Sequence, residues 1–376
     1  MVNKKRLTEE FLRLAAFDSE SFNEGAVADH LAKRLEDLGL KVIRDDVGRR
    51  VSGNSGAAGN IYSFLAGNAE GDPVLFSAHM DTVAPGRGKK PVIGTDGKVT
   101  SSGDTVLGAD DVTGISAILE MLEVIKENDL PHPDIEVVFF AAEEVYCVGS
   151  SGFDYSLIRS RMAYVLDLDG PVGRIANRAP SIIQFETTVL GKSAHAGFEP
   201  EKGVSAISIA ARAIDRLKIG RIDGETTANI GIINGGTGKN VVPEAVRLEG
   251  EVRSLNDVRA QEITETIRRE FEKAAEEFGG KAVFRERKMI TAYVTDPGSK
   301  TVRAYREAIH FLGYGEAELV TTFGGSDNNN LCLHGIEGVV ISNAMNKVHT
   351  VDEYFYIDEF VKSAEIVVKL ATACKK

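Results

Sequence analysis

The chain has 376 residues, 43% of them hydrophobic and 27% charged, with a formal net charge of −12. That length suggests two or three domains, with apolar material for one large core and a smaller one. The acidic balance argues against nucleic acid or an anionic membrane as a partner, and no run approaches the roughly 20 apolar residues of a membrane span.

Three scattered cysteines, Cys147, Cys332 and Cys374, are too few for a disulfide framework or a Cys-rich zinc site, and read as incidental thiols. The N-terminus MVNKKRLTEEFLRLAAF reads as an amphipathic helix, because Glu9 and Glu10 interrupt any signal-like apolar core. A cytoplasmic location is the expectation.

Val27, Leu31, Leu35 and Leu38 recur at helical spacing, and Gly39 marks the stop. Short apolar runs at 74–78, 135–142 and 163–168 predict buried strands, with a helix over 114–126 between the first two. Strands alternating with helices predict an α/β sheet covered on both faces. After about residue 177 the pattern changes. A strand at 181–190, a helix at 204–217, strands at 227–233 and 242–253, a helix at 259–278 and a strand at 281–289 follow in turn. The two middle strands meet through NGGTG at 234–238. That order is the ferredoxin-like βαββαβ arrangement. From about residue 301 the α/β pattern returns, ending in a helix with Phe360, Ala364 and Val367 near one face. The expected architecture is an α/β domain over 1–178 and 292–376, split by an inserted domain over 179–291.

Chemistry-bearing residues cluster where strands end. SAHMDTV (77–83) offers His79, with Asp81 placed to orient the imidazole. LGADDVTG (107–114) sets Asp110 and Asp111 before an apolar helix, where they could cap it or bind a cation. FFAAEEV (139–145) ends a strand in Glu143 and Glu144, one suited to bind metal and the other to take a proton from water. YVLDLDG (164–170) brings Asp167 and Asp169, and NKVHTVDE (346–353) brings His349. Singly, each motif has a plainer explanation as a cap, a solvated strand end or a surface histidine. Together they bring so many acids to one sheet edge that ionising them unpaired would be costly, and two divalent ions resolve the problem.

This set, in this order, resembles the M20 family of metallopeptidases, and within it the peptidase T, or aminotripeptidase-like, branch. The resemblance runs from about residue 8 to about residue 371. It implies a zinc-peptidase-like α/β catalytic domain with a ferredoxin-like lid and dimerisation domain, two zinc ions per subunit (cobalt or manganese as substitutes), and a homodimer formed through the inserted domain. Asp110 would bridge the zincs, with His79 and Asp167 completing one site and Glu144 and His349 the other. Asp167 is preferred to Asp169 by its count along the strand. Asp81 would orient His79, and Glu143 would be the general base for water attacking the scissile carbonyl of a short peptide.

The resemblance extends to the inserted domain. His195, in GKSAHAG (191–197), matches a histidine that stabilises the oxyanion from the partner subunit. Asn240, in GKNVVP (238–243), and Arg253, in EVRS (251–254), match substrate-binding positions, as does Gly325 in TFGGSD (322–327). Phe323 stands where tripeptidases of this branch carry an arginine. That departure keeps a second expectation open, an N-acyl amino acid amidohydrolase or carboxypeptidase of the same superfamily. A non-catalytic metal-binding protein is the third.

Overall fold

The computed structural model describes residues 1–373, so Cys374 lies outside the described residues; Cys147 and Cys332 are free thiols. The chain divides into two units. The first holds Met1–Arg178, Val294–Thr322 and the chain from Ser326 onward; the second holds Ala179–Tyr293 with Phe323–Gly325.

In the first unit β1 (Lys41–Arg44), β2 (Ile61–Leu65), β3 (Val74–His79), β4 (Ile135–Phe140), β5 (Met162–Leu168), β6 (Arg174–Ala179) and β7 (Glu337–Ser342) form a mixed sheet, in the order β1-β2-β4-β3-β5-β7-β6. The central strands β4, β3, β5 and β7 are mutually parallel, and β1, β2 and β6 add antiparallel margins. Every residue of β3 and β4 is buried. This is why the sequence there reads as unbroken apolar runs rather than alternation. The period-2 pleat still sorts the side chains. Phe76, Val137 and Phe139 join the core on one face, Leu75, Val138 and Phe140 the core on the other.

Its longer helices are α1 (Lys4–Ala15), α2 (Gly25–Asp37), α3 (Ala109–Glu127), α4 (Lys300–Leu312), α5 (Asp327–Leu333) and α6 (Ile357–Ala371), beside short turns of helix at Val47–Ser52 and Val148–Ser151. In α3, Ile115, Ile118, Leu119, Met121, Leu122 and Ile125 are all buried. A helix apolar all round belongs inside, and α3 lies between the sheet and helices α1 and α6. Burial of each such side chain contributes about 1.5–3 kcal/mol. Its buried mid-helix carboxylate, Glu120, is matched by the Arg6 guanidinium at 2.6 and 2.9 Å and by the Asn3 amide at 2.6 Å. None of the described helices is long and apolar enough to cross a membrane.

The second unit is an antiparallel sheet in the order Gly220–Asp223, Thr226–Gly235, Ala245–Ser254, Ser181–Leu190, Lys281–Ile290, with helices Ala206–Arg216 and Asp257–Phe278 packed on it. Its four long strands follow the ferredoxin-like order. The short edge strand Gly220–Asp223, like β1 and β2, is absent from the sequence reading. Four residues with little alternation carry no readable period.

Candidate metal centre

The carboxyl ends of parallel strands in an open sheet are where ligands bind. Here β3 ends in His79, which lies in register with Phe140 at the end of β4. Glu143 and Glu144 follow β4 by three and four residues. Asp167 lies one residue before the end of β5, and His349 sits in the loop after β7. Asp110 is at the mouth of α3, where Asp110 and Asp111 are joined by a cis peptide and neither has helical backbone angles.

The side chains converge. His79 Nε2 lies 3.0 Å from Asp110 Oδ1 and 3.9 Å from Asp167 Oδ1. His349 Nε2 lies 3.1 Å from the other Asp110 oxygen, Oδ2, and 3.0 Å from Glu144 Oε1. Asp110 thus divides its two oxygens between two histidines. Each half has a further acid, giving the groups His79/Asp110/Asp167 and Asp110/Glu144/His349. A third group, His79/Glu143/Glu144, overlaps both. Asp169 lies past the end of β5 and is exposed, and of the two it is Asp167 whose carboxylate joins the cluster.

Electrostatics tests whether cations fit. Burial, helped by neighbouring acids, pushes Glu143 and Asp167 well above the usual carboxylate range and raises Glu144. Asp110 goes the other way: burial opposes ionisation, but the two histidines beside it outweigh that and hold it low. His349 is pushed up to about 10 by Asp110 and Glu144. For His79, burial disfavours the charged form, yet Asp110 and Asp81 win and raise it well above 6.5. The Glu144 oxygen nearest His349 is buried and makes no hydrogen bond, although the imidazole is 3.0 Å away. An over-acidic pocket on which histidine and carboxylate donors converge is what a pair of divalent cations requires.

Backbone-directed acids hold these groups in place. The His79 Nδ1 contact is to the Asp81 carbonyl at 2.9 Å, and the Asp81 carboxylate stands 3.4 Å off. That carboxylate accepts from the amides of Glu143 (2.9 Å) and Glu144 (3.1 Å) and from the Ser21 hydroxyl (2.6 Å). Asp81 therefore aligns the paired glutamates as well as the histidine.

The sequence reading left several supporting residues without roles. Asp111 caps α3 through Gly114 N (3.2 Å), accepts the His79 amide (3.2 Å) and receives Asn343 Nδ2 (2.8 Å), which also donates to the Leu166 carbonyl (2.6 Å). Gly114 permits this approach, because a Cβ there would press on Asp111 and on the Leu166 carbonyl. Glu24 is fully buried and accepts the Phe22 (2.9 Å) and Ala142 (3.1 Å) amides; burial and then Asp81 push it up to about 7. Cys147 Sγ donates to Glu143 Oε1 at 3.3 Å. Of these, only Asp111 stood in a motif that pointed to metal.

The remaining expected residues lie in the second unit. His195 is exposed, and its Nδ1 accepts from the Gly197 (3.2 Å) and Phe198 (3.1 Å) amides, which puts the proton on Nε2. Asn240 accepts the Ala196 amide through its carbonyl at 2.9 Å, so it braces the same loop. Arg253 is not a free fork. Its guanidinium meets Glu251 at 2.7 and 3.3 Å and the Phe323 carbonyl at 3.0 Å. Gly325 has a packing reason to be glycine, since a Cβ there would collide with Ile290. Phe323 lies under the Arg221 guanidinium, 4.6 Å from the ring centroid.

Comparison with known proteins matches two family descriptions, the M20 peptidase dimerisation domain over residues 178–279 and peptidase family M28 over residues 60–213. The chain is 40% identical to the uncharacterized protein YqjE of Bacillus subtilis (strain 168) over 100% of both chains. It is 39% identical to the crystal structure of aminopeptidase PepT from Bacillus cereus ATCC 10987, over 100% of both chains, with a TM-score of 0.93. It is 34% identical to a tripeptidase from Staphylococcus aureus subsp. aureus Mu50, covering 99% of this chain and 98% of that one, with a TM-score of 0.95. The chain belongs to the M20 family of metallopeptidases, in its peptidase T branch, and is a hydrolase of peptide bonds.

Proposed function

We propose that the protein is a dinuclear zinc aminopeptidase acting on short peptides, tripeptides in the first instance. The observation that carries this reading is Asp110, whose two oxygens each face a different histidine, with a part-buried acid completing each set. His79, Asp110 and Asp167 would hold one ion, and Asp110, Glu144 and His349 the other. Bound there, the pair would balance the buried carboxylates and polarise the scissile carbonyl. Cobalt or manganese could replace zinc in so oxygen-rich a donor set.

Glu143 belongs to neither Asp110-centred set, which suits it to handle protons. There it would take a proton from water and pass it to the leaving amine. Cys147 engages Oε1 and leaves Oε2 for that transfer. Asp81 fixes where Glu143 sits, through the backbone amide.

His195, with its proton on Nε2, is the candidate oxyanion donor for a partner subunit. A homodimer through the second unit is supported by the matched dimerisation domain and by the strand Thr226–Gly235. Residues 229–235 of that strand pair on one side only among the described residues, and Ile207, Ile232 and Ile233 are exposed nearby. Asn240 supports the His195 loop. Arg253 could reach a substrate carboxylate only by exchanging out of its pairing with Glu251.

The named peptidases among the relatives align over essentially the whole chain at 34–39% identity, which favours peptides over acylated amino acids. The test is a substrate screen of the zinc-loaded enzyme. Release of the N-terminal residue from tripeptides, abolished by chelation and restored by zinc, is expected. Faster turnover of N-acyl amino acids would overturn the reading.

A further inference from the structure

Glu353 is four residues past His349, is only 1% exposed, and touches no substrate-facing group. Its two oxygens are both committed to backbone amides, Oε2 to Gly108 at 2.7 Å and Oε1 to Asp110 at 2.9 Å. Those amides belong to the segment that delivers Asp110. Glu353 itself belongs to the loop that delivers His349. The loop is closed at its neck by Asn346 and Tyr354, whose amides each donate to the other's carbonyl at 2.9 and 3.0 Å. The Glu353 amide donates to the Thr350 carbonyl at 3.2 Å. Beyond the neck, Tyr354–Tyr356 pairs with Lys98–Thr100. The loop is otherwise solvent-facing: the His349 side chain is 51% exposed, and its backbone is left-handed at φ 63°.

The other half of the centre has a separate support. Asp111 takes the His79 amide, and Asn343 joins Asp111 to the Leu166 carbonyl, next to Asp167. The two supports grip neighbouring residues, Glu353 the Asp110 amide and Asn343 the Asp111 carboxylate, and Asn343 stands three residues before the loop's neck at Asn346. A carboxylate can accept two amides at once, whereas a glutamine presents a single acceptor oxygen to the same pair.

We infer that Glu353 is a positioning residue that registers the His349 loop against Asp110, and so sets the affinity of the Asp110/Glu144/His349 site alone. The inference rests on the dinuclear reading above. Zinc-loaded protein is titrated with a chromophoric chelator, and zinc per chain is followed as each ion leaves. Wild type should hold two zincs. Glu353→Gln should hold the first within about threefold of wild type and the second roughly ten- to a hundredfold more weakly, the range for lost outer partners of a ligand. Glu353→Asp, one methylene shorter but still charged, should fall between them, and it decides the matter if the glutamine variant does not fold. Adding Glu353→Gln to His349→Ala should cause no further loss of zinc. Two zincs held as tightly as in wild type, or both weakened together, would overturn the inference. Fewer than two zincs in wild type would instead overturn the dinuclear reading and take this inference with it.

Discussion

Replacing Glu143 by glutamine separates the two roles open to a buried acid in this centre. The side chain keeps its volume, and its Oε1 can still accept from Cys147, now 3.3 Å away. What is lost is the ability to carry a proton. A positioned general base contributes roughly a hundred- to ten-thousandfold to rate, or about 3–5.5 kcal/mol of transition-state stabilisation at about 1.4 kcal/mol per decade. Turnover of a tripeptide by Glu143→Gln should fall by that factor with KM little changed, while zinc per chain stays at two. Steady-state kinetics and metal analysis on the same preparation decide the outcome. Turnover within tenfold of wild type, with both zincs bound, would refute the role of base. Loss of a zinc would show Glu143 to be a ligand, as the overlapping group His79/Glu143/Glu144 permits.

Glu24 supplies a pH test. Its pKa in the fold, about 7, lies above the 4.5 of the unfolded chain. The folded state therefore binds more protons between those values, and the stability Glu24 contributes is full below pH 4.5 and lost as pH rises through about 7. Relative to wild type, Glu24→Gln should gain up to about 3 kcal/mol between pH 4.5 and 8 by chemical denaturation; a pH-independent difference would count against it. Asn343→Leu strands the Leu166 carbonyl and one Asp111 contact while relieving the unpartnered Asn343 Oδ1. Urea unfolding should show a loss of about 2–4 kcal/mol, and a loss under 1 kcal/mol would contradict the bracing role. Mixed subunits of His195→Ala and Glu143→Ala should recover part of the activity each lacks alone, and no recovery after confirmed subunit exchange would rule out donation across the dimer.

The parts of the centre legible in the sequence were those with a period or a motif behind them. Apolar runs ending in acids announced β3, β4 and β5, because a strand buried on both faces must stop being apolar where it meets the site. The ferredoxin-like unit was legible for a similar reason: its long strands and its two helices, Ala206–Arg216 and Asp257–Phe278, are long enough to show their periods. β1 and β2 were not, being short margins of the sheet. The expected substrate-facing positions of the second unit have local neighbours that their motifs do not announce. Gly325 packs closely against Ile290. Arg253 is paired by Glu251, two residues away on its own strand. A spacing of two on a strand puts both side chains on one face, so that pairing was available to a closer reading.

Asp110 and Asp111 show where sequence reasoning had to stop. Adjacent acids before an apolar helix admit two explanations, helix cap and metal ligand, and nothing in the string assigns one to each residue. The fold sends the two side chains different ways. Asp111 turns inward to cap α3 and hold the His79 amide, and Asp110 faces the two histidines. The assignment depends on Asn343 and Glu353, each more than 230 positions away in the chain. Both reach the LGADDVTG segment from distant parts of the chain, Glu353 through the Gly108 and Asp110 amides and Asn343 through the Asp111 carboxylate. The residues proposed as ligands stand out because they are side chains of recognisable chemistry at strand ends. Their supports act largely through backbone amides and carbonyls, which every residue carries, so the motifs that contain Glu353 and Asp111 give no sign of what these two side chains hold. Variants at Glu353 and Asn343 should therefore separate the two halves of the centre more cleanly than variants at Asp110, which serves both.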